Sequence, residues 1–368
     1  MKQEWQDKKG STDMNTITQE QLNAAASAFQ FEGECISISW NTDGHINDTV
    51  VCTFREGDHE RRYILQRINT QIMGDPGKLM GNIVRVTTFL KKKIREQGGD
   101  PDRETLTVIP ARDGKAYFTD GQGSSWRAYD FIEDTICYDR PDQPDHFYQS
   151  ALAFGRFQNL LADFPVETLS ETIPGFHDTA NRYRQFSKAV EEDAAGRKHL
   201  VRSEIEFLTA REAYTKSFDD RTDIPARVTH NDTKLSNVLF DGATGKALCV
   251  IDLDTVMPGL ALHDFGDAIR FGASTAAEDE PDLSKVSFDK KMYDLYLKGY
   301  LEECEERLTN REVELLPMGA KVITYEQALR FLADYLNGDI YYKTSRPEQN
   351  LDRARTQIKL LAEMEQQI

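Results

Sequence analysis

The hydrophobic pattern changes once along the chain, and this change constrains the fold more than any other feature. Three early segments, ECISISW (34–40), TVVCTF (49–54) and RRYILQRI (61–68), are rich in β-branched and aromatic residues and are separated by turn residues. They predict three antiparallel strands. From Asp145 onward the apolar residues follow a helical spacing instead. The sequence therefore predicts an α+β protein with an antiparallel-sheet N-terminal lobe, a mainly helical C-terminal lobe and a boundary near 133–145.

Local signals predict further elements in the N-terminal lobe. Thr18 and Gln21 stand at the spacing of a capping box, which predicts a helix that begins after Thr18. The apolar residues of KLMGNIVRVTTFLKKKIREQ (78–97) recur at helical spacing and predict a second helix. Further strands are predicted at 105–110, 115–120 and 124–134, the last of which runs into the connector between the lobes.

Length and composition bound the class of protein. At 368 residues the chain suits two lobes, for which we predict a flexible tail at 1–17, an N-terminal lobe at 18–133 and a C-terminal lobe at 134–368. The 45 Lys and Arg against 62 Asp and Glu give a net charge of −17, which disfavours nucleic acid and anionic membranes as partners.

Three absences in the sequence bear on where the protein works. No apolar run is long enough for a membrane-spanning helix, and the polar start lacks the apolar region of a secretory signal. The cysteines are odd in number and scattered, so neither a disulfide framework nor a zinc site is indicated. We therefore expect a cytoplasmic protein. The cysteines stand at 35, 52, 137, 249 and 304.

Two short stretches, HNDTKLSN (230–237) and VIDLD (250–254), supply the groups that phosphoryl transfer from a nucleotide requires. We interpret Asp232 as the base that orients the attacking hydroxyl and Lys234 as support for the transferred phosphate. Asn237 and Asp252 offer the hard oxygen ligands that Mg²⁺ prefers. His230 is interpreted as a brace of the loop. Asp254 is left open between a sugar contact, an indirect supporting role and a cap at the end of the strand.

The first stretch resembles the H-x-D-x-x-x-x-N catalytic loop of the aminoglycoside phosphotransferase and choline kinase superfamily. In that resemblance Asp252 corresponds to the metal-binding aspartate after the next strand. HDFGDAIR (263–270) is similar to the start of the following helix, where Asp264 or Asp267 would brace the loop. The resemblance implies a protein-kinase-like fold with a nucleotide-binding N-terminal lobe, and ATP and Mg²⁺ as cofactors.

A closer resemblance, over about residues 31–362, is to the N-acetylhexosamine 1-kinase family. It implies ATP-dependent phosphorylation of the anomeric hydroxyl of N-acetylglucosamine or N-acetylgalactosamine. It also implies that Arg330 and Tyr341, and with a weaker basis Phe271, belong to the sugar pocket, although ordinary helix packing is an equal alternative for the first two. The segments that carry it are GHINDT (44–49), YILQRIN (63–69), WRAYDFI (126–132), IPGFHDT (173–179), HNDTKLSNVLFD (230–241), NGDIYYK (337–343) and NLDRARTQ (350–357).

The candidates for nucleotide binding lie in three places. A glycine-containing loop would set His45 and Asn47 over the phosphates, although a plain hairpin turn explains it nearly as well. Gln66 and Arg67 stand where kinases usually carry a lysine on the third strand, and this departure leaves the phosphate contact open. In the connector, YDFI (129–132) would offer backbone groups to adenine. Its candidate residues are Asp130, Phe131 and Ile132.

Two other functions remain open on the sequence. One is a related kinase for another small substrate, such as an aminoglycoside, choline or a different sugar. The other is a non-catalytic nucleotide-binding scaffold. Gln66 at the lysine position favours this alternative, whereas the complete set of Asp232, Lys234, Asn237 and Asp252 argues against it. A small-molecule sugar and ATP are the expected partners.

Overall fold

The structure, a computed structural model, describes residues 17–41 and 47–368. The predicted tail, apart from Ile17, and the predicted phosphate contact His45 lie outside the described residues. The chain divides into two compact units. The first comprises the described residues up to Thr70 together with Val108–Phe131, and the second comprises Gln71–Thr107 and Ile132–Ile368.

The first unit is an antiparallel sheet with a helix beside it. The capping box of Thr18 and Gln21 is present and begins α1 (Gln19–Ala28). The strands are β1 (Glu34–Asn41), β2 (Asp48–Glu56), β3 (His59–Arg67), β4 (Val108–Ile109), β5 (Phe118–Thr119) and β6 (Ser125–Asp130). Their order is β1-β2-β3-β6-β4, with β5 also pairing with β6. The three predicted N-terminal strands are therefore confirmed.

Alternate residues of these strands form the core of the first unit. Val50 and Cys52 on β2, Tyr63 and Leu65 on β3, and Trp126 on β6 are all buried. This spacing of two is the period of a strand with one covered face. The strands predicted at 105–110 and 115–120 are shorter than expected. Pro110 has no N–H for a ladder, and Gly114 has φ +84° in the turn that follows.

The second unit is mainly helical. Its helices are α2 (Thr70–Met73), α3 (Pro76–Glu96), α4 (Pro144–Leu160), α5 (Thr179–Glu192), α6 (Arg202–Thr209), α7 (Ala261–Gly272), α8 (Lys290–Cys304), α9 (Asn310–Asn337) and α10 (Gln349–Gln367). Short strands form two small antiparallel sheets, ordered β10-β9-β7 and β11-β8. These strands are β7 (Thr135–Ile136), β8 (Arg227–Thr229), β9 (Val238–Asp241), β10 (Ala247–Val250) and β11 (Met257–Gly259).

Helix α3 forms where the periodicity predicts it, but it belongs to the second unit rather than to the predicted range 18–133. Its buried Asn82 donates through Nδ2 to the carbonyl oxygens of Ser170 and Val256, at 2.7 and 2.9 Å. Phe89 packs edge-on against Phe164, with ring centroids 5.2 Å apart. These contacts join residues far apart in sequence, so periodicity alone gives no sign of them.

Helix α7 is buried on nearly all sides and lies close against α9. A Cβ atom on Gly266 would stand 2.4 Å from the carbonyl oxygen of Gly319, and a Cβ on Gly319 would stand 2.4 Å from that of Leu262. Glycine at both positions lets the two helix backbones approach. The polar residues of α7 are thereby fixed at the centre of the second unit. Among the described residues, no helix has the length and apolar character that crossing a membrane requires.

Candidate active site

The two stretches that the sequence singles out are adjacent in the second unit. Residues 230–237 connect β8 to β9, and β8 pairs antiparallel with β11, which follows residues 250–254 after a short turn. The backbone N–H of Ile251 donates to the carbonyl oxygen of Asn237 at 2.9 Å, which joins the two stretches directly. We call residues 230–237 the catalytic loop from here on, after the role that the sequence predicts for them.

Two carboxylates of α7 hold the backbone of the catalytic loop. Asp264 accepts from the backbone N–H of His230 at 2.9 Å and of Asn231 at 2.7 Å. Asp267 accepts from the N–H of Thr233 at 3.0 Å. The resemblance implied Asp264 or Asp267 as the brace, and both contact the loop. Asn231 has φ +65°, a left-handed conformation in which asparagine is the usual residue after glycine.

His230 is fully buried and acts as a bridge within the site. Its Nε2 lies 2.8 Å from the carbonyl oxygen of Ile251, which requires the ring to donate there. Its Nδ1 then accepts from the backbone N–H of Asp232 at 3.3 Å. Both ring nitrogens are occupied by backbone groups, which supports the interpretation of His230 as a brace rather than a base.

Asp232 is the partly exposed carboxylate of the loop, with a quarter of its side chain accessible. Lys234 Nζ lies 2.9 Å from its Oδ2, and Asn237 Nδ2 donates to the same oxygen at 3.0 Å. Burial opposes ionisation, but the charge and hydrogen bond of Lys234, with smaller effects of His230 and Asn237, hold the pKa of Asp232 below its usual range. Asp232 is therefore a carboxylate at neutral pH, and its Oδ1 receives no hydrogen bond from the described residues.

Lys234 remains charged among several carboxylates. Burial would lower the pKa of this ammonium, but the nearby charges of Asp232, and to a lesser extent Asp252 and Asp267, raise it overall. A fixed ammonium beside Asp232 is the kind of group that can neutralise the charge of a transferring phosphoryl group.

Asn237 and Asp252 carry oxygen atoms that suit a magnesium ion. The Asn237 amide donates through Nδ2 to the carbonyl oxygen of Asp232 at 2.8 Å, which fixes the direction of its own Oδ1. Asp252 has φ +59° and begins the short 3₁₀ turn Leu253–Thr255 after β10. No group of three or more His, Cys, Asp or Glu residues in the described part of the chain is arranged to hold a metal ion. An amide and a carboxylate fit Mg²⁺ that takes its remaining ligands from phosphates and water.

The other sugar candidates lie along α7 and α9. Arg270 pairs with Asp267 at 3.0 Å and with Glu278 at 2.5 Å, and its guanidinium lies 3.8 Å from the ring centroid of Phe271. The positive charge of Arg270 also repels that of Arg330 on α9. Asp254 is buried in the 3₁₀ turn, and its role as sugar contact or cap stays a prediction.

Arg330 lies over two aromatic rings, at 5.9 Å from the centroid of Phe176 and 5.6 Å from that of Tyr342. Tyr341 is 70% exposed, and its ring meets Tyr342 edge-on at 4.8 Å. The sequence interpretation did not include Phe176, Tyr342 or Arg270. The ion pair of Arg270 could have been predicted from the sequence, because Arg270 stands three residues after Asp267 on one helix. For Phe176 and Tyr342 the sequence carries no indication beyond their place in the segments IPGFHDT and NGDIYYK.

The nucleotide candidates of the first unit form contacts with one another and with their neighbours. Gln66 donates through Nε2 to Thr49 at 3.0 Å, and Arg67 pairs with Asp48 at 2.7 Å. Asn47 Oδ1 accepts from the N–H of Asn69 at 3.0 Å. These bonds fix the ends of β2 and β3.

Beside Gln66, Arg127 of β6 is buried and donates to Gln66 Oε1 at 2.9 Å. A guanidinium on the neighbouring strand therefore lies next to the position where kinases usually carry lysine. The connector residues follow β6. Asp130 pairs with Arg61, and the N–H of Phe131 donates to the carbonyl oxygen of Arg62 at 3.2 Å. Ile132 is buried and begins the second unit. Nucleotide binding by these residues stays a prediction.

Residues 41–295 match the phosphotransferase enzyme family, which is more than two thirds of the chain. The chain belongs to this family. Its fold is similar to an aminoglycoside phosphotransferase from Alicyclobacillus acidocaldarius, at 15% identity and a TM-score of 0.62, with 97% of each chain covered. A microcompartment-associated aminopropanol kinase is similar at 16% identity and a TM-score of 0.54, with 94% of this chain and 96% of that chain covered. The choline kinase LicA from Streptococcus pneumoniae is similar at 14% identity and a TM-score of 0.51, with 89% of this chain and 94% of that chain covered.

Family membership and these likenesses agree with the predicted fold. The protein has the kinase-like fold of phosphotransferases, with an antiparallel-sheet N-terminal part and a helical C-terminal part. It is a small-molecule phosphotransferase. The three similar structures are named for different acceptors, so the acceptor of this chain has to be argued from its own residues.

Proposed function

We propose that this phosphotransferase uses ATP and Mg²⁺ to phosphorylate the anomeric hydroxyl of an N-acetylhexosamine, N-acetylglucosamine or N-acetylgalactosamine, and so forms the 1-phosphate. The observation that carries the proposal is the packing of three segments on which the closer resemblance rests. Asp334 accepts from the N–H of Tyr341 at 2.8 Å and of Tyr342 at 3.0 Å, and from Asn350 Nδ2 at 2.9 Å. IPGFHDT joins this group through Phe176, which lies under Arg330.

In this proposal Asp232 orients the acceptor. The sugar hydroxyl donates to Oδ1, the oxygen that receives no bond from the described side chains, while Lys234 and Asn237 hold Oδ2. As the oxygen–phosphorus bond forms and ADP leaves, the proton passes to the Asp232 carboxylate. An anomeric hydroxyl is more acidic than an ordinary alcohol, so a carboxylate of low pKa is a sufficient base and positioning dominates.

The nucleotide phosphates would be held by the chain with the help of the metal. Asn237 Oδ1 and Asp252 would bind Mg²⁺, which neutralises phosphate charge when bound. Lys234 adds a fixed positive charge whose pKa the surrounding carboxylates raise. Asn47, Gln66, Arg67 and the connector residues remain the proposed nucleotide contacts of the first unit and its border.

The charges around Arg330 favour a neutral acceptor over a cationic one. Arg330 and Arg182 lie close enough that the charge of Arg330, added to the larger effect of burial, lowers the pKa of Arg182. A polycationic aminoglycoside would meet these two guanidinium groups. Choline would need open aromatic faces, but Arg330 already lies over the rings of Phe176 and Tyr342. A sugar with an acetamido group can instead accept hydrogen bonds from a guanidinium.

A product assay tests the proposal. The protein is incubated with ATP, Mg²⁺ and a panel of N-acetylglucosamine, N-acetylgalactosamine, glucose, galactose, choline and an aminoglycoside, and products are resolved by phosphorus NMR. The expected product is a sugar whose phosphorus signal couples to H1, formed much faster from the two N-acetyl sugars. A pocket built to bond the acetamido group loses roughly 1–3 kcal/mol for each buried partner left unpaired by glucose or galactose. Phosphate on O6, or faster phosphorylation of choline or the aminoglycoside, would refute the proposal and leave only the family assignment.

A further inference from the structure

A cavity of about 580 Å³ lies in the second unit, apart from the residues assigned to catalysis and the proposed sugar pocket. Its volume is in the range of pockets that hold small molecules. Its inner wall includes His177, His263, Val322 and Asn231. Neither Asp232 nor Arg330 lines it. Asn231, one residue before Asp232, is where the cavity meets the catalytic loop.

His177 presents in the wall of this cavity a buried ring nitrogen that has no hydrogen-bond partner among the described residues. Its side chain is 5% exposed, and its Nδ1 lies 3.0 Å from Oε1 of the buried Glu326. Burial opposes ionisation of Glu326, but the charge and hydrogen bond of His177 outweigh it and lower its pKa to about 2. Glu326 is therefore a carboxylate, and His177 Nδ1 must carry the donated hydrogen. The other ring nitrogen, Nε2, is buried and has no hydrogen-bond partner among the described residues.

The rest of the inner wall is uncharged. The ring of His263 lies 4.8 Å from that of His177, and burial, with a smaller effect of the His177 charge, lowers the pKa of His263 to about 3. This imidazole is neutral at physiological pH and offers one donor and one acceptor. Apolar side chains, Met257, Leu260 and Val322, complete the wall. A ligand with hydroxyl groups on an apolar ring matches this combination.

Charged side chains lie at the exposed edge of the cavity instead. Glu171, Asp178 and Asp219 are exposed there, beside the exposed Arg221. Three carboxylates against one guanidinium disfavour an anion at the edge. Deeper in, His177 is already paired with Glu326 and His263 is neutral, so neither offers a counter-ion to a charged ligand. The chemistry of the cavity therefore selects an uncharged ligand.

We propose that this cavity is a second binding site of the protein, for a small uncharged polyhydroxylated molecule such as a monosaccharide, with a ligand hydroxyl hydrogen-bonded to His177 Nε2. The ligand contacts Asn231, whose N–H is fixed by Asp264. It also contacts Phe176, whose ring lies under Arg330. The site does not depend on which acceptor the enzyme phosphorylates, since none of Asp232, Arg330 and Tyr341 lines the cavity.

Calorimetric titration of the full chain with glucose and with N-acetylglucosamine, without nucleotide, tests the site. His177→Asn keeps an amide N–H toward Glu326 and removes the polar ring atom Nε2. Val322→Phe fills the cavity from α9 and leaves His177 and Glu326 unchanged. Val313→Phe makes the same substitution on α9 outside the cavity and is the matched control. Arg330→Ala removes a residue of the proposed sugar pocket.

The expected result is a binding event that Val322→Phe abolishes, that His177→Asn weakens about tenfold, as for one hydrogen bond, and that Val313→Phe and Arg330→Ala retain. Thermal unfolding checks that each variant is folded. If His177→Asn does not fold, the binding measured with Val322→Phe decides the test by itself. The proposal is overturned if neither sugar binds at millimolar concentration, if Arg330→Ala removes all binding, or if Val322→Phe binds like the parent chain. Failure of the phosphorylation assay leaves these outcomes unaffected, so the two proposals fail separately.

Discussion

Replacing Asp264 with asparagine should damage activity more than stability. The carboxylate accepts three hydrogen bonds in the core of the second unit. Oδ2 takes those from the N–H of His230 at 2.9 Å and from Gln158 Nε2 at 3.0 Å, and Oδ1 takes that from the N–H of Asn231 at 2.7 Å. An asparagine has one oxygen, so its NH₂ group must face at least one of these donors. The least costly orientation of the asparagine side chain keeps the hydrogen bonds from His230 and Gln158 and leaves the N–H of Asn231 without an acceptor.

The magnitude follows from this one lost bond. A hydrogen bond to a charged group contributes roughly 1.5–3 kcal/mol. Burial raises the pKa of Asp264 in spite of its donors, which means that the carboxylate is held at a desolvation cost that a neutral amide avoids. We therefore expect the lower end, a loss of about 1.5 kcal/mol in the free energy of unfolding. Because the unpaired N–H precedes Asp232, a shift of the base should lower kcat by roughly 10–100-fold.

Urea unfolding and steady-state kinetics with the best acceptor of the sugar panel measure the two effects. Asp289→Asn is the matched control, because Asp289 caps α8 through the N–H groups of Lys291 and Met292, and asparagine caps as well as aspartate. The control should keep both stability and kcat. If Asp264→Asn keeps kcat within twofold of the parent enzyme, Asp264 does not position the catalytic loop.

Other variants and conditions test the remaining assignments. Asp232→Asn should lower kcat at least ~100-fold with little change in nucleotide affinity, measured by single-turnover kinetics and nucleotide titration; near-normal kcat would contradict its role as base. Because Lys234 keeps the pKa of Asp232 low, the acid limb of kcat/KM should lie below about pH 4, and a limb near pH 6 would indicate a different base. Excess chelator should abolish activity and Mg²⁺ restore it, with Asp252→Asn requiring more Mg²⁺; full activity in chelator would exclude the metal role. Arg330→Ala should raise the KM for sugar about tenfold, and Tyr341→Phe a few-fold, while the KM for ATP stays nearly constant; equal changes in both would remove these residues from the sugar pocket.

The contacts within residues 230–237 could be predicted from the sequence because they join side chains only a few positions apart. Asp232, Lys234 and Asn237 meet through contacts of only two to five residues in sequence separation. The strands of the first unit were predictable for a similar local reason, since alternation of side chains is a property of the strand itself.

Contacts between distant segments could not be predicted in the same way. The place of α3 in the second unit depends on Asn82 and on partners more than eighty residues away. Phe176 and Arg330 meet across more than 150 residues. The hydrogen bond of His177 to Glu326 likewise depends on how α9 passes the segment before α5. Periodicity predicts that such elements exist, but their mutual packing is decided by the whole core.

Asp267 connects the catalytic loop to Arg270, which lies over the ring of the proposed sugar contact Phe271. One of its oxygens accepts from the N–H of Thr233, and the other accepts from Arg270 at 3.0 and 3.2 Å. Burial raises the pKa of Asp267, Arg270 opposes this, and the charge of Asp232 adds to the rise. Lys234 beside Asp232 and Arg270 beside Asp267 supply positive charge that offsets these two carboxylates. The loop geometry therefore depends on these two ion pairs, and a neutral acceptor hydroxyl would disturb them less than a charged group would.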